Sequence, residues 1–321
     1  MGCRPFTSTT VSKPIVRHHK ARIHHRSKPL PPESWLTNST VLGIYGRAFN
    51  VAPILGRLGM DASFSELNRQ VQPYEQGISR NNDGRKVIVA VDLIYGMAMG
   101  CDYGGDCLEY LDQVGTNIVR DYIKPALKRH WLVILDDQLG TSNPDAEVHH
   151  MIRMGYLKYD NVEVAIDPEF HLVPGYTVPG IPIGSITAQQ INDAQWTLNH
   201  YASRLHLRHK KILIIHQFQP GMISKRWLIR RRFPYVDPLI DEDGFGDPAT
   251  KASVYHLLLG PQIRYGVKWR GIKLFLPNPY LTSHTDYPVM WWKQVFGHMP
   301  AVDGSGAKYW VRPMPNFVVI A

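Results

Sequence analysis

Eight apolar runs, separated by stretches with helical patterns, predict a single (β/α)8 barrel of the TIM type. Strand, helix and strand follow one another at intervals of roughly 30 residues, as they do in parallel βαβ units. The runs are almost continuous in Val, Ile and Leu, which is typical of strands that are covered on both faces. They span residues 41–49, 86–96, 130–140, 162–170, 211–218, 235–246, 271–276 and 316–321.

An open doubly wound sheet is the alternative fold. Such a sheet often carries a glycine-rich phosphate turn after its first strand. The corresponding stretch here, YGRAFN, holds one glycine and has neither a GxGxxG nor a Walker pattern. The closed barrel is therefore favoured.

Three segments between the runs predict helices. Residues 187–190 (TAQQ) fit a capping box, and apolar residues follow at helical spacing. The segment 107–130 carries a similar apolar stripe, with a kink expected at Pro125. Asp247 followed by Pro248 predicts another helix start, because proline is favoured in the first turn.

The chain divides into a basic, Pro-rich tail or linker (1–38) and one barrel domain (39–321). Residues 1–28 hold seven Lys or Arg, four His and no acid. We expect this tail to be disordered, and it offers a contact for an anionic polymer, although a solvated tail is the simpler alternative. Without the tail the remaining positive charge is small, so no specific nucleic-acid partner is expected. No apolar stretch is long enough for a transmembrane segment.

Two of the three cysteines, Cys101 and Cys107, lie in one short stretch, CDYGGDC. A disulfide bond between them and a pair of free thiols are both compatible with this spacing. A disulfide bond would imply an oxidising compartment. No second cysteine pair completes a zinc site.

Paired carboxylates end the fourth run, VEVAIDPEFHL (162–172). Asp167 and Glu169 are two residues apart and therefore share a face of an extended strand. Carboxylates seldom lie inside a protein unless they are paired or used in chemistry. They lie at the C-terminal end of a strand, and barrels carry their active sites at that end of their strands.

Polar residues recur at the ends of neighbouring runs, which helix capping alone does not explain. Glycoside hydrolysis needs a protonated carboxylic acid and a second carboxylate across the scissile bond, and Glu169 is the natural acid. Aromatic residues near the strand ends suit a sugar-binding groove. The predicted catalytic residues are Glu169, Asp167, Asp136, Asp241 and Asp243, and the predicted substrate-binding residues are Tyr45, Asp92, Gln138, His216, Gln217 and Lys273.

No cofactor and no bound metal are expected. A metal-dependent hydrolase is an alternative, since His216, Asp136 and Asp241 together offer ligand atoms. However, neither an HExxH nor an HxH after the first run is present. Serine chemistry is disfavoured because the sequence has no GxSxG.

The motifs LGIYGRAF, ILDDQLG, VAIDPEFHL, ILIIHQFQPGMI and IDEDGFG resemble a family of uncharacterised bacterial surface proteins and lipoproteins with a glycosidase-like barrel. The resemblance covers residues 40–321. It implies an exported protein, extracellular or at the cell surface, and a polysaccharide or cell-wall glycan as partner.

The DxE strand end is also similar to chitinase-like and lysozyme-like barrels. The fuller DxxDxDxE motif is not met, because its two earlier Asp positions fall on Val162 and Ala165. The sequence therefore predicts a glycoside hydrolase-like enzyme, with a non-catalytic glycan-binding surface protein as the alternative.

Overall fold

The computed structural model describes residues 1–2, 31–49, 56–101, 107–263, 267–277 and 284–321. Eight parallel strands within residues 32–321 form a closed barrel, since the last strand pairs with the first and the first with the second. The predicted (β/α)8 barrel and all eight predicted strands are confirmed. The strands are β1 (Ser39–Gly46), β2 (Lys86–Ala98), β3 (Leu132–Asp137), β4 (Val162–Ile166), β5 (Lys211–Gln217), β6 (Val236–Glu242), β7 (Trp269–Leu274) and β8 (Phe317–Ile320).

Alternate residues of each strand fill two separate apolar layers. Ala165 of β4 lies in the barrel interior with Ile134 of β3 and Ile214 of β5. Its neighbours Val164 and Ile166 lie in the larger layer between strands and helices. This alternation follows from the two-residue period of a strand, and it explains why the strands are apolar on both faces.

Helices cover the outside of the barrel. Thr187 forms the predicted capping box with Gln190, and Asp247 accepts hydrogen bonds from the first backbone N–H groups of the helix that Pro248 opens. Both predicted helix starts are confirmed. The helices are α1 (Phe64–Ser79), α2 (Lys124–Lys128), α3 (Pro144–Arg153), α4 (Ala188–Arg204), α5 (Pro248–Leu259) and α6 (Trp292–Val295).

The prediction of a long helix over 107–130 is wrong for its first half. Residues Leu108–Tyr110 form a short strand antiparallel to the end of β2. Helical structure begins only near Ile118, as a π-helical turn over Val119–Ile123 that continues into α2. The apolar stripe of this segment therefore serves a strand and a helix in turn.

The last residues before β1 pack against the barrel domain rather than extending as a linker. Leu36 is fully buried in the interior layer, and the Trp35 ring stacks on His209 with 3.6 Å between ring centroids. Glu33 forms a backbone bridge with the same His209. The basic tail itself falls almost entirely on residues 3–30, outside the described part of the chain.

Cys101 and Cys107 form a disulfide bond, which decides between the two thiol states that the sequence allowed. We expect Cys101→Ser combined with Cys107→Ser to lower the free energy of unfolding by about 2 kcal/mol, because the bond closes a short loop in the unfolded chain. Urea denaturation measures this loss, with Cys3→Ser as the matched control. An unchanged midpoint after reduction of the wild type contradicts the bond.

No helix among the described residues is long and apolar enough to cross a membrane.

Candidate active site

Polar side chains replace apolar ones where the inward-facing positions reach the C-terminal ends of the strands. On β5, Ile212 and Ile214 are followed two residues later by His216, and on β3, Ile134 is followed by Asp136. We call the resulting set the polar layer, and each of its members is at most 2% exposed. It comprises Asp92, Asp136, Asp167, His216, Asp241 and Lys273.

His216 lies at the centre of the polar layer, between carboxylates that lie at or just beyond the ends of β3, β4 and β6. Its Nε2 atom is 3.5 Å from Asp136 Oδ2 and 3.8 Å from Asp167 Oδ1. Its Nδ1 atom is 3.2 Å from Asp241 Oδ2 and 3.5 Å from Asp243 Oδ2. Burial opposes a charge on the ring, but Asp167, Asp136 and Asp243 outweigh it and hold the pKa of His216 well above its ordinary value.

Lys273 supplies the second positive charge. Its Nζ atom is 3.2 Å from Asp243 Oδ1 and 3.5 Å from the centroid of the Tyr45 ring. Burial disfavours its charge, yet Asp243, Asp167 and Asp136 raise the pKa of Lys273 above its usual range. The predicted substrate-binding residues Tyr45 and Lys273 therefore contact each other and the carboxylates. The Tyr45 hydroxyl also donates to Asp167 Oδ2 over 3.4 Å.

Acidic side chains outnumber basic ones in this site. With Glu169 and Asp243 included, it holds six buried carboxyl groups and two buried basic side chains, His216 and Lys273. Ionised carboxylates in a site with little water are costly unless they are neutralised. Burial is accordingly the main reason that the pKa values of Asp92, Asp167 and Asp241 are raised. Each of these three carboxyl groups therefore holds its proton more tightly than a solvent-exposed aspartic acid does.

Glu169 and Asp243 lie on either side of β5, after β4 and β6. One oxygen of each, together with one of Asp167, lies within 4.8 Å of the other two. Burial and then the charge of Asp243 raise the pKa of Glu169 to about 7. A carboxyl group with this pKa is still protonated in a large fraction of molecules near neutral pH and can donate its proton.

A cavity of about 640 Å³ opens above the polar layer, a size that suits a small organic ligand. Asp167, Glu169, Asp243, Lys273, Tyr45 and Gln138 reach it from the predicted site. Asp92, Asp136, His216 and Asp241 lie beneath it and do not line it. The remaining walls are largely apolar and include Phe170, Ile183, Phe218, Phe245, Val254, Phe275, Leu276 and His284.

Gly271 of β7 makes room for the polar layer. A Cβ atom at this position would lie 2.2 Å from Asp241 Oδ1 and 3.0 Å from the Phe317 ring. Any side chain there would displace Asp241 from His216. The glycine in GIKLFL is therefore part of how the carboxylates fit inside the barrel.

Among the described residues, two sets of side chains could hold a metal ion. Asp136, Asp167 and His216 form one set, and Asp167, Glu169 and Asp243 form the other, with ligand atoms within 4.8 Å of one another in each. Oxygen and imidazole donors suit a divalent cation. Lys273 already places a positive charge 3.2 Å from Asp243 and competes with a cation in the second set.

One predicted residue, Gln217, points away from the cavity. Its Nε2 donates to the Gln219 carbonyl over 3.0 Å, and its Oε1 accepts from Arg226 over 3.0 Å, so that it anchors the loop after β5. Gln138 lines the cavity and accepts from the Ala98 N–H over 2.8 Å.

Acidic residues next to the predicted ones face the helices instead. Glu242 is 3.3 Å from Lys251 of α5, and Lys251 is 3.7 Å from Asp286. Asp286 accepts hydrogen bonds from Gly246 N–H and Phe275 N–H, which fixes two loops at the cavity mouth. This role of Asp286 was not predicted, because TDYPVM offers no periodic signal that reveals it.

No protein-family model matches the chain, and a comparison with curated proteins finds no significant similarity. The resemblance to bacterial surface proteins stays a prediction. Function must be inferred from the site itself.

Proposed function

We propose that the chain is a glycoside hydrolase that acts on a polysaccharide or cell-wall glycan. The observation that carries this proposal is the pair of Glu169 and Asp243 at the cavity floor. The pKa of Glu169 is raised to about 7, and Asp243 lies 3.2 Å from Lys273 and 3.5 Å from His216. Glycosidases use one carboxyl group as a proton donor and a second carboxyl group on the other side of the scissile bond.

The separation of the two groups favours retention of configuration. Retaining enzymes hold their carboxyl groups roughly 5–5.5 Å apart, whereas inverting enzymes need roughly 6.5–9.5 Å to admit a water molecule. The closest oxygens of Glu169 and Asp243 lie within 4.8 Å. In this mechanism Asp243 attacks the anomeric carbon while Glu169 protonates the leaving oxygen. Glu169, now ionised, then takes a proton from the water that releases the sugar from Asp243.

The surroundings support a carbohydrate substrate. Aromatic rings of Phe170, Phe218 and Phe245 line the cavity and suit the apolar faces of sugar rings. The disulfide bond between Cys101 and Cys107 favours an oxidising, extracytoplasmic location.

We expect kcat/KM for polysaccharide hydrolysis to fall as the pH rises through about 7. The active form of Glu169 is protonated, and its pKa is about 7, so it loses its proton on the alkaline side. A pH–rate profile for release of reducing ends measures this limb. A rate that is constant up to pH about 9 contradicts Glu169 as the acid.

A metal-dependent hydrolase is the second candidate, and the two sets of ligand atoms that share Asp167 favour it. Isothermal titration of chelator-treated protein with Zn²⁺, Mn²⁺ or Mg²⁺ distinguishes the two. Activity that depends on one of these ions, with binding lost in Asp167→Asn, selects the metal enzyme. Binding of an oligosaccharide without turnover selects a glycan-binding protein.

A further inference from the structure

The segment between β5 and β6 departs from the barrel pattern. Residues 218–235 are all described, and they contain short 3-10 turns at Pro220–Met222 and Arg226–Leu228 but no α-helix. In a (β/α)8 barrel a helix normally covers this position. The loop packs on α4 instead, and Trp196 of that helix is 53% exposed.

The turn Arg226–Leu228 presents two large apolar side chains to solvent. Trp227 is 61% exposed and Leu228 is 54% exposed. The turn is held in place from below, because Asn192 of α4 donates to the Leu228 carbonyl over 2.9 Å and accepts from the Arg230 N–H over 2.7 Å. The exposed pair is therefore a fixed feature of the surface.

Positively charged residues flank this pair in the chain. The segment 218–235 holds five Lys or Arg and no acid, and Lys225, Arg230, Arg231 and Arg232 are exposed. The one acid of α4, Asp193, is exposed and accepts a hydrogen bond from Gln189. We call the exposed Lys225, Trp227, Leu228, Arg230, Arg231 and Arg232 the basic–aromatic patch.

We propose that the basic–aromatic patch binds the surface of an anionic lipid bilayer. Charge complementarity supports an anionic partner, because exposed Lys and Arg are attracted to anionic headgroups. The apolar pair favours lipid over a hydrophilic polyanion: Trp is enriched at the headgroup level, and Leu gains by entering the acyl boundary. This inference is independent of the proposed hydrolysis.

Co-sedimentation of the full chain with vesicles tests the charge. We expect binding to phosphatidylcholine vesicles that contain phosphatidylglycerol and little binding to phosphatidylcholine alone. Arg230→Gln with Arg232→Gln should weaken this binding about 25-fold, since each cation contributes about fivefold. The matched control is Lys124→Gln with Lys128→Gln, which removes the same charge from exposed positions of α2. Equal weakening by both pairs overturns the proposal.

Fluorescence tests whether Trp227 enters the bilayer. It also distinguishes binding through the patch from binding through the basic tail, because the tail contains no Trp before Trp35. Brominated lipid should quench the wild type more than Trp227→Phe when both are vesicle-bound. Equal quenching overturns the proposal. The proposal is also overturned if the protein binds polyphosphate as tightly as it binds vesicles and if Trp227→Ala with Leu228→Ala changes neither affinity.

Discussion

Glu169→Gln is expected to reduce polysaccharide hydrolysis by about 10²–10⁴-fold, because an amide of the same shape cannot donate the proton. Release of reducing ends from a panel that includes chitin, cellulose, xylan and peptidoglycan measures the loss. The matched control is Glu75→Gln, which changes another glutamate far along the chain on helix α1. Equal hydrolysis by the wild type and Glu169→Gln contradicts the assignment.

The same substitution should leave the fold intact and even stabilise it at alkaline pH. The pKa of Glu169 is raised from 4.5 to about 7 in the folded protein. The contribution of the protonated group to the free energy of unfolding is therefore complete below pH about 4.5. This contribution is lost as the pH rises through about 7. Glu169→Gln should raise the free energy of unfolding by up to about 3 kcal/mol at pH about 9 and should leave it unchanged near pH about 4. Lost activity with retained stability identifies chemistry rather than unfolding.

His216→Gln is expected to destabilise the protein by about 3–5 kcal/mol, since it leaves the surrounding buried carboxylates without their central positive charge. The pKa of His216 is raised well above 6.5, so the contribution of the charged ring to the free energy of unfolding is complete below pH 6.5. It disappears as the pH rises through the folded-state pKa. Urea denaturation at pH about 6 and at a strongly alkaline pH should therefore show the larger loss at pH about 6.

The matched control for this substitution is His149→Gln on α3, where the side chain is 52% exposed. We expect this change to cost less than about 0.5 kcal/mol. Adding Asp241→Asn to His216→Gln should restore part of the stability, because it removes one of the unpaired carboxylates. Equal losses for the two histidines would show that His216 does not neutralise the site.

The barrel was predictable because each of its strands is a continuous apolar run, and the spacing of the runs admits a helix between them. Which face of each strand points into the barrel was not predictable. Asp136 lies against His216 inside the barrel, while its neighbour Asp137 accepts the Leu139 N–H on the helix side. Both faces of such a strand are apolar, so composition alone cannot tell which of two adjacent acids points inward.

The site was predictable in its carboxylates and less so in its organisation. Polar residues at strand ends signalled Asp167, Glu169 and Asp243. Burial and the charge of Asp243 raise the pKa of Glu169, and the sequence alone does not show that Asp243 and Glu169 lie next to each other. Ile183 and His284 line the cavity from long loops, where no periodic pattern reports a position in space.

Trapping of the glycosyl intermediate tests the proposed pair most directly. Once the panel identifies the sugar, the wild type is incubated with its 2-deoxy-2-fluoro glycoside bearing an activated leaving group. Peptide mapping by mass spectrometry should place the covalent sugar on Asp243. A label on another residue, or steady hydrolysis with inverted configuration and no label, would contradict Glu169 and Asp243 as acid and nucleophile.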